Sequence, residues 1–211
     1  MSQMALPLAW PAGPRDDAFL ITASNEAAVR TLKGWADWPV RTALLTGPHR
    51  SGRSTLARLF AQLSGGSVID DAARQPEEAL FHAWNAAQSG DRPLLLVADA
   101  APPAWPVQLP DLRTRLAASP LAIIARPDDA LARALFARHF ERRGLPAPGE
   151  LLDWLVARTE RSHVAIERIV EALDRVSLER QRRLTIPLAR SLLIDAGLIE
   201  AAHTPGYPED A

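Results

Sequence analysis

The chain has 211 residues, a formal net charge of -1 and 47% hydrophobic residues, enough for one medium domain or a domain with a small appendage. The near-neutral charge supplies no global field toward nucleic acid or an acidic membrane. The absence of cysteine excludes disulfides, thiolate zinc sites and a thiol nucleophile.

The N-terminal stretch "MSQMALPLAWP" lacks a charged leader region and is interrupted by Pro7, so it reads as a poor signal peptide. No apolar run reaches membrane-spanning length, and the expected location is the cytoplasm. Residues 1–16 are proline-rich and read as an extended tail. Residues 17–126 read as an α/β core. "AAVRTLKGWA" suits a helix capped by Ser24 or Asn25, and "RTALLTG" is a short apolar strand that stops at Gly47. "STLARLFAQL" follows as a helix, with Leu56, Leu59, Phe60 and Leu63 on one expected buried stripe. "SVIDDA" is a second strand and "EEALFHAWNAAQ" a helix. "RPLLLVADA" and "LAIIAR" are a third and a fourth strand. Continuous apolar strands alternating with helices predict a parallel sheet covered on both faces. Over 127–197 the periodicity is helical throughout, with Ile166, Ile169, Val170, Leu173 and Val176 as its clearest stripe. There Thr185 is the expected helix cap, and Gly197 the stop. This segment reads as a small helical lid, and 198–211 as a tail.

Chemistry concentrates between the first strand and the next helix, in "GPHRSGRST". Gly47, Pro48, Ser51, Gly52, Arg53, Ser54 and Thr55 fit a phosphate-binding loop in every place but one, because Arg53 stands where lysine is usual. Glycines let main-chain amides curl around an anion, the helix start adds positive potential, and a hydroxyl reaches magnesium. Arginine is a longer, planar fork, so phosphate binding should survive the exchange better than phosphoryl transfer. A magnesium-side carboxylate is expected at the end of a neighbouring strand. Asp70 closes "SVID" and Asp99 closes "LLLVAD"; the residues alone leave that choice open.

Several stretches in order along the chain resemble the DnaA-related AAA+ ATPase family, most closely its Hda branch. Gly52-Arg53-Ser54 is similar to that branch's loop, and "PPAWPVQLPDLRTRL" to the segment from sensor I to the arginine finger. "LDRVSLERQRRLTIPLARSLL" resembles its last lid helices, and "QMALPL" its clamp-docking peptide. The resemblance implies an AAA+ core, here short of one strand and helix after the loop helix, followed by a lid. It implies Asp70 as the magnesium-side carboxylate beside Ser54, Asp71 as the neighbour that polarises water, and Asp99 as sensor I. Arg115 becomes the finger, with Arg113 competing. Gln3, Leu6, Pro7 and Leu8 become the contacts to the sliding clamp. The lid's sensor II arginine is replaced by Val164 or Ala165, with Arg161 and Arg168 nearby but out of register. The implied cofactors are ADP or ATP with magnesium, and own turnover is at most weak. The implied partners are the clamp and DnaA, with a homodimer open, and no sequence-specific contact with DNA. The implied function is a regulator that promotes hydrolysis of DnaA-bound ATP. A self-contained ATPase or loader subunit and a nucleotide-free scaffold are the alternatives.

Overall fold

The computed structural model describes residues 19–180 and 183–199. The chain forms two compact units. Among the described residues the first comprises 19–21, Ala27–Thr46 and Gly52–Ile123, and the second Thr22–Glu26, Gly47–Ser51, 124–180 and 183–199.

The first unit is built on a four-stranded parallel sheet, made of β1 (Thr42–Thr46), β2 (Ser67–Ile69), β3 (Leu94–Ala98) and β4 (Leu121–Ile123) in the order β2-β3-β1-β4. β1 and β3 lie at the centre and are buried at every residue, which is why each reads as an unbroken apolar run. Their register pairs Thr42 with Leu94 and Thr46 with Ala98, so both strands end level. The edge strands β2 and β4 have three residues each. On β4 only Ala122 is buried, and Leu121 and Ile123 stay 42% and 54% exposed.

The helices here are α1 (Glu26–Lys33), α2 (Arg53–Ser64), α3 (Glu77–Ser89) and α4 (Pro110–Ala118); α2 and α3 pack on the strands, and Leu112 and Leu116 of α4 join the core of Leu44 and Leu96. On α2 the expected stripe is only partly right. Leu56, Ala57 and Phe60 are buried, whereas Leu63 is 46% exposed. A 3.6-residue period centred on Leu56 and Ala57 carries Leu63 to the margin of the stripe in the last turn. The helix stops at Gly65, whose N–H donates to the Ala61 carbonyl at 2.9 Å. Ser67 N–H then meets the Pro93 carbonyl at 2.9 Å, so a very short link suffices to enter β2 beside β3. Helix α4 is weakly amphipathic in sequence, since Leu112 and Leu116 are its only fully buried residues. Its first turn is fastened by Glu77, which accepts from the N–H groups of Gln108 and Leu109 at 2.8 and 2.6 Å.

The second unit contains α5 (Asp129–Arg142), α6 (Gly149–Val156), α7 (His163–Arg180) and α8 (Ile186–Asp195). Its core joins Phe136 and Phe140 of α5, Leu151 and Leu155 of α6, and Leu193 of α8. The expected α7 stripe contributes Ile166, Ile169, Val170 and Leu173, while Val176 is only partly buried. Asp128 caps α5 by accepting from Leu131 N–H at 2.7 Å, and its other oxygen accepts from Ser24 N–H at 3.0 Å. Thr185 caps α8 as expected, accepting from Leu188 N–H at 3.4 Å, with Pro187 in the first turn. Among the described residues no helix is long and apolar enough to cross a membrane.

Candidate nucleotide site

The loop begins where β1 ends. Gly47 is buried, and a Cβ there would lie 2.9 Å from both the Cβ and the carbonyl oxygen of Ile124, too close for any side chain. Ser51 N–H turns back to the Pro48 carbonyl at 3.2 Å. The Ser51 hydroxyl is buried and has no hydrogen-bond partner. Arg50, between them, adopts a left-handed conformation with φ 63°, which non-glycine residues seldom do. Its guanidinium pairs with Glu167 on α7.

Gly52 has φ 86° and hands the chain into α2, whose first intrahelical bond runs from Leu56 N–H to the Gly52 carbonyl at 2.9 Å. A Cβ at Gly52 would meet the Phe19 ring at 3.0 Å. Glycine is therefore required by conformation at Gly52 and by close approach at Gly47. The start of this 12-residue helix presents main-chain N–H groups with no carbonyl above them, the local condition for holding an anion.

Two acids converge on this helix start from adjacent strands. Asp70 follows β2 and Asp99 follows β3, both at the carboxyl ends of their strands, where open parallel sheets bind ligands. Ser54 Oγ donates to Asp70 Oδ2 at 2.9 Å. Arg53 Nη2 lies 2.5 Å from Asp99 Oδ1; the Arg53 side chain is only 12% exposed, whereas that of Asp99 is 76% exposed. Asp71 has φ 48°, and its N–H donates to Asp70 Oδ1 at 3.0 Å, so it turns the chain at the end of β2. Thr55 lies in the first turn of α2, half-buried. Ser54 and Arg53 thus each hold one of the two acids that sequence reasoning left in competition.

The remaining predicted residues lie elsewhere. Arg115 is on α4, with its guanidinium carbon 4.2 Å from the Phe81 ring centroid and 4.8 Å from that of Trp84. Arg113 is exposed on the same helix. Val164 and Ala165 occupy the first turn of α7, where Arg161 just before it pairs with Asp129. Gln3, Leu6, Pro7 and Leu8 lie outside the described residues. Sequence reasoning missed Arg50, Glu167 and the two rings under Arg115. Phe81 and Trp84 did carry a signal, because i and i+3 on one helix share a face.

Residues 128–193 match the family model described as Hda, lid domain. The core has the AAA+ fold. The chain is similar to domain III of the Thermotoga maritima replication initiation protein DnaA, with TM-score 0.70 and 14% identity over 88% of this chain and 98% of that one. Its fold is also similar to the Thermotoga maritima RuvB Holliday junction branch migration motor, with TM-score 0.62 and 14% identity over 82% and 68% of the two chains. The chain thus resembles Hda over 128–193, and its fold is that of the AAA+ domain of DnaA. An uncharacterized protein of Haemophilus influenzae is 30% identical to this chain over 118 residues, covering 56% of this chain and 51% of that protein. The chain therefore spans about half the length of that curated relative. A further similar structure is the replication initiator DnaA bound to AMPPCP and single-stranded DNA, with TM-score 0.61 and 15% identity over 80% and 68% of the two chains.

Proposed function

We propose that this chain regulates replication initiation by binding an adenine nucleotide, docking on the sliding clamp through residues 3–8, and promoting hydrolysis of DnaA-bound ATP through Arg115. The observation that carries the reading is the bond from Ser54 to Asp70 at the start of α2, next to the buried, unsatisfied Ser51 hydroxyl of the loop. The Hda-type lid at 128–193 supports the choice of regulator over motor.

The residues fit a nucleotide diphosphate. A glycine at each end keeps the loop free of side chains where the main chain must come close, and the buried Ser51 hydroxyl is unsatisfied. When bound, the phosphates supply the anion that the helix-start amides and Arg53 hold, and magnesium would be taken by Ser54 and Asp70. Arg53 grips oxygens as a planar fork rather than as the compact charge of lysine. Within the second unit Arg161 is engaged with Asp129. Both features favour retention of nucleotide over its turnover. Arg115 then acts on the partner's nucleotide, since a fixed cation stabilises charge that develops during phosphoryl transfer.

The test is stimulation of DnaA's ATP hydrolysis on a DNA-loaded clamp. Arg115→Ala should lower the stimulated rate by at least about 100-fold, given the usual worth of a finger. Undiminished stimulation by that variant rejects the reading.

The Arg53–Asp99 pair favours a second reading, a scaffold whose loop is closed by its own side chains. Thermal unfolding separates the two. A regulator that binds ADP should gain about 2.7 kcal/mol at a ligand concentration 100 times the dissociation constant. A scaffold should show no shift at millimolar ADP.

A further inference from the structure

Arg115 is gripped rather than solvated. Its guanidinium lies over two rings of α3, Phe81 at 4.2 Å and Trp84 at 4.8 Å, both within cation–π range. The grip is itself tied down. Trp84 Nε1 donates to Ser119 Oγ at 3.2 Å, and Ser119 Oγ donates to the Arg115 carbonyl at 2.9 Å. The buried Ser119 thus ties the indole to the backbone of the residue whose side chain it stacks against. Arg115 Nη1 is buried and has no hydrogen-bond partner. A buried guanidinium donor without an acceptor is costly, and such groups in native folds call for an explanation.

We infer that Phe81 and Trp84 are positioning residues that hold the Arg115 guanidinium ready for an acceptor supplied by a partner. Stacking occupies the faces of the guanidinium plane and leaves the N–H groups other than the buried Nη1 to carry hydrogen bonds to a partner. It also removes rotamer freedom from a long side chain, and that cost otherwise falls at the moment of contact. The acceptor chemistry that suits these groups is a phosphate oxygen. The inference rests on the proposed role of Arg115 and adds to it the two residues that set the geometry.

The experiment compares full-length Phe81→Leu, Trp84→Leu, Phe81→Tyr and Arg115→Ala in the stimulated hydrolysis assay. The maximal rate is read separately from the concentration giving half of it. The two leucine variants should each lower the maximal rate by about tenfold, with the half-saturating concentration changed by less than about twofold. Phe81→Tyr keeps the ring and should restore the wild-type rate. A well-folded leucine variant with full maximal rate overturns the inference, as does a loss confined to the half-saturating concentration. If the leucine variants fail to fold, Trp84→Phe decides. It keeps a ring but loses the tie to Ser119, and it should lower the maximal rate by about threefold; an unchanged rate overturns the inference. The Arg115→Ala arm separates the two levels. Stimulation lost there but retained in both leucine variants removes only the positioning role, whereas stimulation retained in Arg115→Ala, or absent in the wild type, removes the finger as well.

Discussion

At the scale of single residues, Glu77 shows how one carboxylate can start a helix at a distance. It is the first residue of α3, yet it satisfies two main-chain donors just before α4, at Gln108 and Leu109. Those two hydrogen bonds, assisted by Arg113, hold its carboxyl below the ordinary value of 4.5. A lowered carboxylate contributes stability above its unfolded value and loses it as pH falls through the folded one. Glu77→Gln should therefore melt below wild type at pH 7, and the gap should close as the pH falls through that range. Thermal melts of both proteins between about pH 7 and 3 read this directly; a gap independent of pH assigns the role to shape rather than charge. The Arg115 grip belongs to the same scale, and it was only half legible. The sequence places Phe81 and Trp84 on one face of a helix. It does not announce a guanidinium that arrives from the next helix along. Arg50 was less legible still, because its partner Glu167 is 117 positions away and its left-handed backbone leaves no mark on an arginine codon.

Elements were more legible than contacts. β1 and β3 are buried on both faces, so an unbroken apolar run was enough to find them. The turn between β1 and α2 was legible because its requirements are local, namely a strand end, small residues and a helix start within one short stretch. The choice between Asp70 and Asp99 was not local. It depends on strand order, and the observed order puts the two acids side by side at the ends of β2 and β3. The exposure of Leu63 was missed for a related reason. Periodicity fixes the buried face of a helix to within about one residue, and Ala57 took the place next to Leu56. The capping signals of α8 transferred without change. Thr185→Ala should cost about 0.5–1 kcal/mol, at the low end for a cap because the bond is 3.4 Å long. A drop in Tm of about 1–4 °C for a chain of this size is the expected readout.

At the scale of the whole molecule, each compact unit carries its own apolar core, one organised around β1 and β3 and one around α5 and α7. The parallel sheet has four strands, and this economy has a consequence at its margin. Among the described residues β4 is the last strand and has an unpaired side, and two of its aliphatic side chains are turned to solvent. Its shortness limits how far another chain can zip onto it, which is a usual defence of sheet margins. The grease that remains should show in handling. Excluded salts such as sulfate strengthen apolar association, so the protein should leave concentrated ammonium sulfate early. Ile123→Lys places a charge on that ledge at an already wet position. It should raise the precipitation threshold while moving Tm by no more than about 2–4 °C, the span of roughly 1 kcal/mol in a chain this long. A threshold that stays put would mean that the ledge is not where these molecules first stick.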